Sequence, residues 1–161
     1  LDKTQKIIKN VLKKDKGVMM TLTSLVYVSL AYHDMNADEL KTILESSHHH
    51  NKPDNITGML LYRDGYFIQA LEGEAEKVEA TYERIKLDTR HKNVVTVYKE
   101  EIEERTFSEW TMGFKNLDDV EPESLPAFTD FLTQPMDADD FVKNPSRAKL
   151  LLESFRHHIQ F

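Results

Sequence analysis

The chain of 161 residues has no cysteine, which excludes disulfides, thiolate catalysis and cysteine-ligated zinc. No apolar run approaches the roughly 18 residues of a membrane-spanning helix, and no signal-peptide pattern opens the sequence. A soluble, cytoplasmic protein that does not enter the membrane is the expectation. Glycine is scarce, at five residues, and none belongs to a nicotinamide-type glycine fingerprint. A net charge of −7 disfavours nucleic acid as a partner. The basic residues are uneven, since residues 1–20 carry six lysines against two aspartates.

Three parts follow from the patterning. Residues 1–20 form an N-terminal extension in which Ile7, Ile8, Val11 and Leu12 recur at helical spacing, predicting an amphipathic helix. Residues 21–117 alternate strand and helix signals. Leu22 to Leu30 is apolar on both faces and reads as a central strand. Asn36 caps a helix that runs to about His50, ahead of Lys52-Pro53. Strands at Ile56–Tyr62 and Tyr66–Leu71 flank the tight turn Arg63-Asp64-Gly65. Ala75, Val78, Tyr82 and Ile85 mark a second helix, with Glu72-Gly73-Glu74 as its start. Val94–Tyr98 and Phe107–Phe114 supply two further strands, and the acidic run Glu100 to Glu104 reads as a solvated turn between them. The order βαββαββ predicts an α+β, ferredoxin-like core: a mixed sheet with two helices on one face and one added strand. In residues 118–161, Pro122, Pro126, Pro135 and Pro145 break the chain into short segments. Pro145 opens a last helix whose Leu150, Leu151, Leu152 and Phe155 should cover the free sheet face or a partner subunit. The apolar faces of both terminal segments make a homo-oligomer an expectation.

Polar residues at core positions point to a site. Gln69 interrupts an otherwise apolar strand, and burying its amide unpaired costs roughly 1–3 kcal/mol. Tyr27 alternates onto one face of the first strand, and Ser47 lies on the inward stripe of the first helix. Adding four residues to Ser47 reaches Asn51, which reads either as a left-handed helix C-cap or as a polar group of the same site. A Tyr, a Gln and an Asn on a sheet face and its covering helix suggest a planar polar ligand held between the helices. His48-His49-His50 points three ways around a helix, so no metal site is expected.

These residues, with Ile56-Thr57-Gly58, Leu71-Glu72-Gly73, Asp88-x-Arg90-His91-x-Asn93 and Phe107-x-x-Trp110-x-Met112, resemble the BLUF family of blue-light photoreceptors over about Leu22 to Leu117. The resemblance implies a ferredoxin-like fold and a noncovalent flavin between the two core helices: FAD, with FMN or riboflavin as alternatives. It further implies that Tyr27 donates an electron and a proton, that Gln69 accepts the proton and ends rotated or tautomerised, and that Asn51 holds the ring. Ser47 would fix the Gln69 rotamer. His50 would contact the flavin, Arg90 and His91 would sit near its ribityl chain or phosphates or else in a solvated loop, and Trp110 and Met112 would carry the signal along the fifth strand. No substrate is turned over by such a domain, so the chain is expected not to be an enzyme but to signal to a downstream protein. A flavin-dependent redox protein, or a flavin-free interaction module on the same fold, are the rival classes.

Overall fold

The computed structural model describes residues 2–6, 21–120 and 137–156. Residues 3–6 are helical; the rest of the predicted N-terminal helix, and the segments around Pro122, Pro126 and Pro135, lie outside the described residues. The elements in chain order are β1 (Leu22–Ala31), α1 (Ala37–Asn51), β2 (Thr57–Arg63), β3 (Tyr66–Glu74), α2 (Ala75–Leu87), β4 (His91–Ile102), β5 (Gly113–Asn116), a 3-10 turn (Leu117–Asp119), α3 (Ala138–Lys143) and α4 (Pro145–Ser154).

Local chemistry sets the boundaries. The Asn36 side chain accepts from Glu39 N, while the Glu39 side chain accepts from Asn36 N, so a reciprocal capping box opens α1. Between β2 and β3, Asp64 and Gly65 take φ values of 47° and 79°, as a two-residue hairpin turn matched to strand twist requires. Gly58 is needed for a different reason. A Cβ there would lie 1.9 Å from the Ala70 carbonyl oxygen on the neighbouring strand.

The sheet order is β4-β1-β3-β2-β5. Pairs β1–β3, β1–β4 and β2–β3 are antiparallel, and β5 adds in parallel beside β2. This is the expected ferredoxin-like arrangement with one extra edge strand. Period-two alternation splits the core into two layers. Leu25, Tyr27, Leu60, Phe67 and Leu71 face Leu40, Ile43 and Leu44 of α1 and Val78 and Tyr82 of α2. Their neighbours Val26, Val28, Met59, Leu61, Ile68 and Ala70 face Phe141 of α3 and Ala148, Leu151 and Leu152 of α4. The final helix therefore covers the second sheet face, although Leu150 points outward at 54% exposure. No helix among the described residues is long and apolar enough to cross a membrane.

Three predicted boundaries differ. Strand β4 runs from His91 to Ile102, so Glu100 and Glu101 of the acidic run extend a sheet edge that solvent can reach. Glu72-Gly73-Glu74 completes β3 instead of opening the second helix. The predicted fifth strand, Phe107–Phe114, shrinks to Gly113–Asn116, and its ladder with β2 begins at Met59↔Gly113. The amides of Thr106 and Phe107 donate to the Glu72 carboxylate instead of to a strand, so the predicted start of β5 is bonded outside any ladder.

Candidate functional site

A cleft of about 360 Å³ opens between α1, α2 and the sheet. That size is within the range of small-molecule sites. Its lining includes Tyr27, Ser47, His50, Asn51, Gln69, Arg90 and His91, so the topology brings these seven predicted residues to one place. β1 and β3 pair with Tyr27 directly opposite Gln69, which sets the phenol beside the amide.

The floor of the cleft is a buried hydrogen-bonded series. The Tyr27 hydroxyl donates to Gln69 Oε1. Gln69 Nε2 in turn donates to Met112 Sδ at 3.2 Å. Tyr27, Gln69 and Met112 are buried, at 1%, 3% and 0% exposure. Burial, reinforced by Tyr82 and Asp88, pushes the Tyr27 phenol far above its ordinary range and keeps it a neutral donor. A thioether is a weak acceptor, so the Tyr27 bond dominates the amide's orientation. The Tyr82 ring lies 5.5 Å from that of Tyr27, and its own hydroxyl is bonded to Thr96 Oγ1 at 2.7 Å.

Around this floor, α1 contributes from its last turn. Asn51 Nδ2 donates to the Thr111 carbonyl at 3.0 Å, leaving Oδ1 as an acceptor. The α1 C-cap is Lys52, in right-handed geometry, so Asn51 is not the cap. Ser47 Oγ donates within the helix to the Ile43 carbonyl, and His50 Nδ1 donates to the Ser46 carbonyl. At the mouth, Arg90 grips Asp88 with contacts of 2.6 to 3.1 Å. Burial works against ionisation of Asp88, but the hydrogen bonds from Arg90 outweigh it and hold the carboxyl below its ordinary range. Burial also lowers His91 to a pKa of about 4, with Arg90 adding to the effect and Asp88 opposing it. His91 is thus neutral at physiological pH and bonds through Nδ1 with Ser29 Oγ at 2.9 Å.

The two predicted residues of the fifth strand part company. Met112 belongs to the cleft side, whereas the half-buried Trp110 packs against the cluster under α3 and α4. Both precede β5, in the segment that lacks a regular ladder.

Sequence reasoning missed three groups. His48 Nε2 donates to the Met112 carbonyl at 2.9 Å, tying α1 to the start of β5. Asp88 lines the cleft as the partner of Arg90. Thr81 lines it too, is 2% exposed, and its hydroxyl has no hydrogen-bond partner among the described residues. Its signal was present, because Thr81 lies three residues after Val78 on the inward stripe of α2. An orphaned buried hydroxyl, an acceptor on Asn51 and a buried amide suit a planar ligand edged with carbonyl and N–H groups. Among the described residues, no three His, Asp or Glu side chains are grouped to hold a metal ion.

Comparison with known proteins converges on one description. The chain is 37% identical over 123 residues to the photoactivated adenylate cyclase subunit beta of Euglena gracilis, covering 70% of this chain and 14% of that protein. It therefore spans only about 14% of that relative's length. The fold matches a bacterial light-regulated adenylyl cyclase with a TM-score of 0.65 and 32% identity, over 83% of this chain and 36% of the other. It also matches the ground state of BlsA with a TM-score of 0.69 and 26% identity, over 84% of this chain and 87% of the other. Residues 22–113 match the profile of the sensors of blue-light using FAD, so the chain belongs to the BLUF family.

Proposed function

We propose that this chain senses blue light through FAD held noncovalently in the cleft, with Tyr27 and Gln69 as its photochemical pair. The observation that carries the reading is the buried series Tyr27–Gln69–Met112 at the cleft floor. A bound flavin supplies the chromophore and, once excited, a strong one-electron oxidant beside a phenol. Gln69 and Oδ1 of Asn51 would orient the ring edge. Thr81, Ser47 and His50 line its flanks, Arg90 stands at the mouth, and His91 lies deeper, against Tyr27. These groups do not distinguish FAD from FMN or riboflavin, which share the ring.

The protein's part is to hold and move one proton. Tyr27 keeps its proton on Oη, aimed at Gln69 Oε1. An oxidised phenol is a strong acid, so the proton passes along this existing bond to the amide oxygen. Gln69 gives the proton back to the Tyr27 oxygen as the transferred electron returns there, and is left in a reversed arrangement, rotated or tautomerised. An amide is suited to this because it exchanges its donor and acceptor ends without changing charge. A rotated amide turns Oε1 toward the Met112 sulfur, which cannot donate, and that contact is lost. The output is a population shift of the segment bearing Trp110 and Met112, not turnover of a substrate. It passes to a signalling partner or a second copy by way of α3 and α4, which pack behind the same strands.

Purified protein should be yellow and release flavin on denaturation, with mass spectrometry naming which one. Blue light should produce a small reversible red shift, and Tyr27→Phe should keep the flavin but lose the shift. A colourless chain that does not take up flavin would leave the flavin-free interaction module; a flavoprotein with no shift would leave the redox protein.

A further inference from the structure

Glu72 is a carboxylate at 1% exposure for which the photochemistry has no use. It stands three residues along β3 from Gln69 but on the opposite sheet face, near Leu152 and Glu153 of α4. Both of its oxygens are committed. Oε1 accepts from Phe107 N at 2.6 Å and Oε2 from Thr106 N at 2.9 Å. The preceding residue reinforces the join, since Arg105 Nη1 donates to the Glu72 carbonyl at 2.9 Å and to Thr57 Oγ1 at 2.8 Å. Burying a carboxylate is costly, and burial holds the Glu72 carboxyl above its ordinary range despite these bonds. A neutral loop anchor would avoid that cost.

The segment so anchored is the one the light response must move. Phe107 and Trp110 pack on the α4 side, and Met112 reaches the cleft side, so residues 105–112 pass from one face of the sheet to the other. The far end is tied to Glu72. The cleft end is tied by Asn51 to Thr111, by His48 to Met112, and by Gln69 to the Met112 sulfur. One strand, β3, thus grips this strap twice, from opposite faces, through side chains three residues apart. Reversal of the Gln69 amide releases one of these grips and leaves the other.

We propose that Glu72 is a positioning residue for the light response, fixing the far end of the strap so that the change at Gln69 displaces Trp110 instead of dissipating in slack backbone. The proposal rests on the photoreceptor reading above, and its test separates the two. Glu72→Gln, in the full flavin-loaded chain, keeps the volume and one acceptor but gives up the second acceptor and the charge. Flavin content, dark spectrum and red shift should match the wild type, because the cleft is untouched. Dark amide exchange at Thr106 and Phe107 should quicken by about tenfold or more. The light-minus-dark exchange difference over residues 108–112 should vanish, a readout that a merely stabilising contact would leave in place. If Glu72→Gln fails to fold, Thr106→Pro deletes one donor while keeping the carboxylate, and should quicken dark exchange at Phe107 and remove the light-minus-dark difference over residues 108–112. Wild-type dark exchange at Thr106 and Phe107 in Glu72→Gln, or an undiminished light-minus-dark difference with the red shift retained, would overturn the proposal. A wild-type chain with no red shift would sink the photoreceptor reading and the relay with it, whereas the dark exchange contrast would still decide whether Glu72 holds the strap.

Discussion

The Tyr27–Gln69 bond can be weighed directly. Both groups are buried, so removing either leaves the other unsatisfied where water scarcely reaches. Gln69→Leu strands the Tyr27 hydroxyl and should cost about 2 kcal/mol. Tyr27→Phe strands the amide oxygen and should cost about 1–2 kcal/mol. The double substitution removes donor and acceptor together, replaces them with apolar groups of similar shape, and should cost less than about 1 kcal/mol. The cycle therefore predicts a coupling of at least about 2 kcal/mol, with the double variant more stable than the sum of the singles. Urea unfolding can be followed by the fluorescence of Trp110, the one tryptophan in the chain. Free flavin must be held at one concentration across the four proteins, because ligand binding stabilises the folded state. Single costs that add to within about 0.5 kcal/mol would mean that the phenol and the amide are not bonded in the folded chain, and the proton route would fall with them.

Other predictions follow from the site and its supports. The folded pKa of His91 is lowered to about 4, so its contribution to stability is complete above its ordinary value of 6.5 and is lost as pH falls through the interval between them. The loss should reach up to about 3 kcal/mol in urea midpoints and be absent in His91→Asn; identical pH profiles would refute it. Thr81→Val should weaken flavin binding about fivefold in equilibrium titration, as expected if the ligand satisfies its orphaned hydroxyl; unchanged affinity would remove it from the site. Leu152→Ala, on the sheet face away from the cleft, should cost about 2–5 kcal/mol of stability while leaving the red shift in place.

Much of the fold was legible because local and global signals agree. β1 reads as central from apolar residues on both faces, and Asn36 and Asp64-Gly65 mark their boundaries by mechanisms that act within four residues. β5 was misread because alternation from Phe107 to Phe114 looks like a strand whatever its amides bond to. The acceptors for Thr106 and Phe107 come from Glu72, more than thirty residues earlier, and nothing local reports that. β4 was read short because lysine and glutamate are poor strand formers, yet an open edge tolerates them. In the site, Tyr27, Asn51 and Gln69 stood out as polar residues on inward faces. Thr81 obeyed the same rule and was overlooked, as hydroxyls inside helices are common. His48 and Asp88 could not have been found this way, because their roles depend on which backbone and which arginine the fold sets beside them.

β4 carries a further consequence. It is twelve residues long, stands at the end of the sheet and has a ladder partner, β1, on one side only among the described residues. Such an edge is a template on which a second chain could add a strand and start a polymer. Lys92, Lys99, Glu100 and Glu101 are exposed along it, and its register with β1 slips twice, which breaks the regular template. The net charge of −7 on the chain repels a second copy over about 8 Å at physiological salt and over about 3 Å at molar salt. Ionic strength is therefore the condition that governs the colloidal behaviour of concentrated solutions, with dilute buffer keeping the edges apart and strong salt letting them meet.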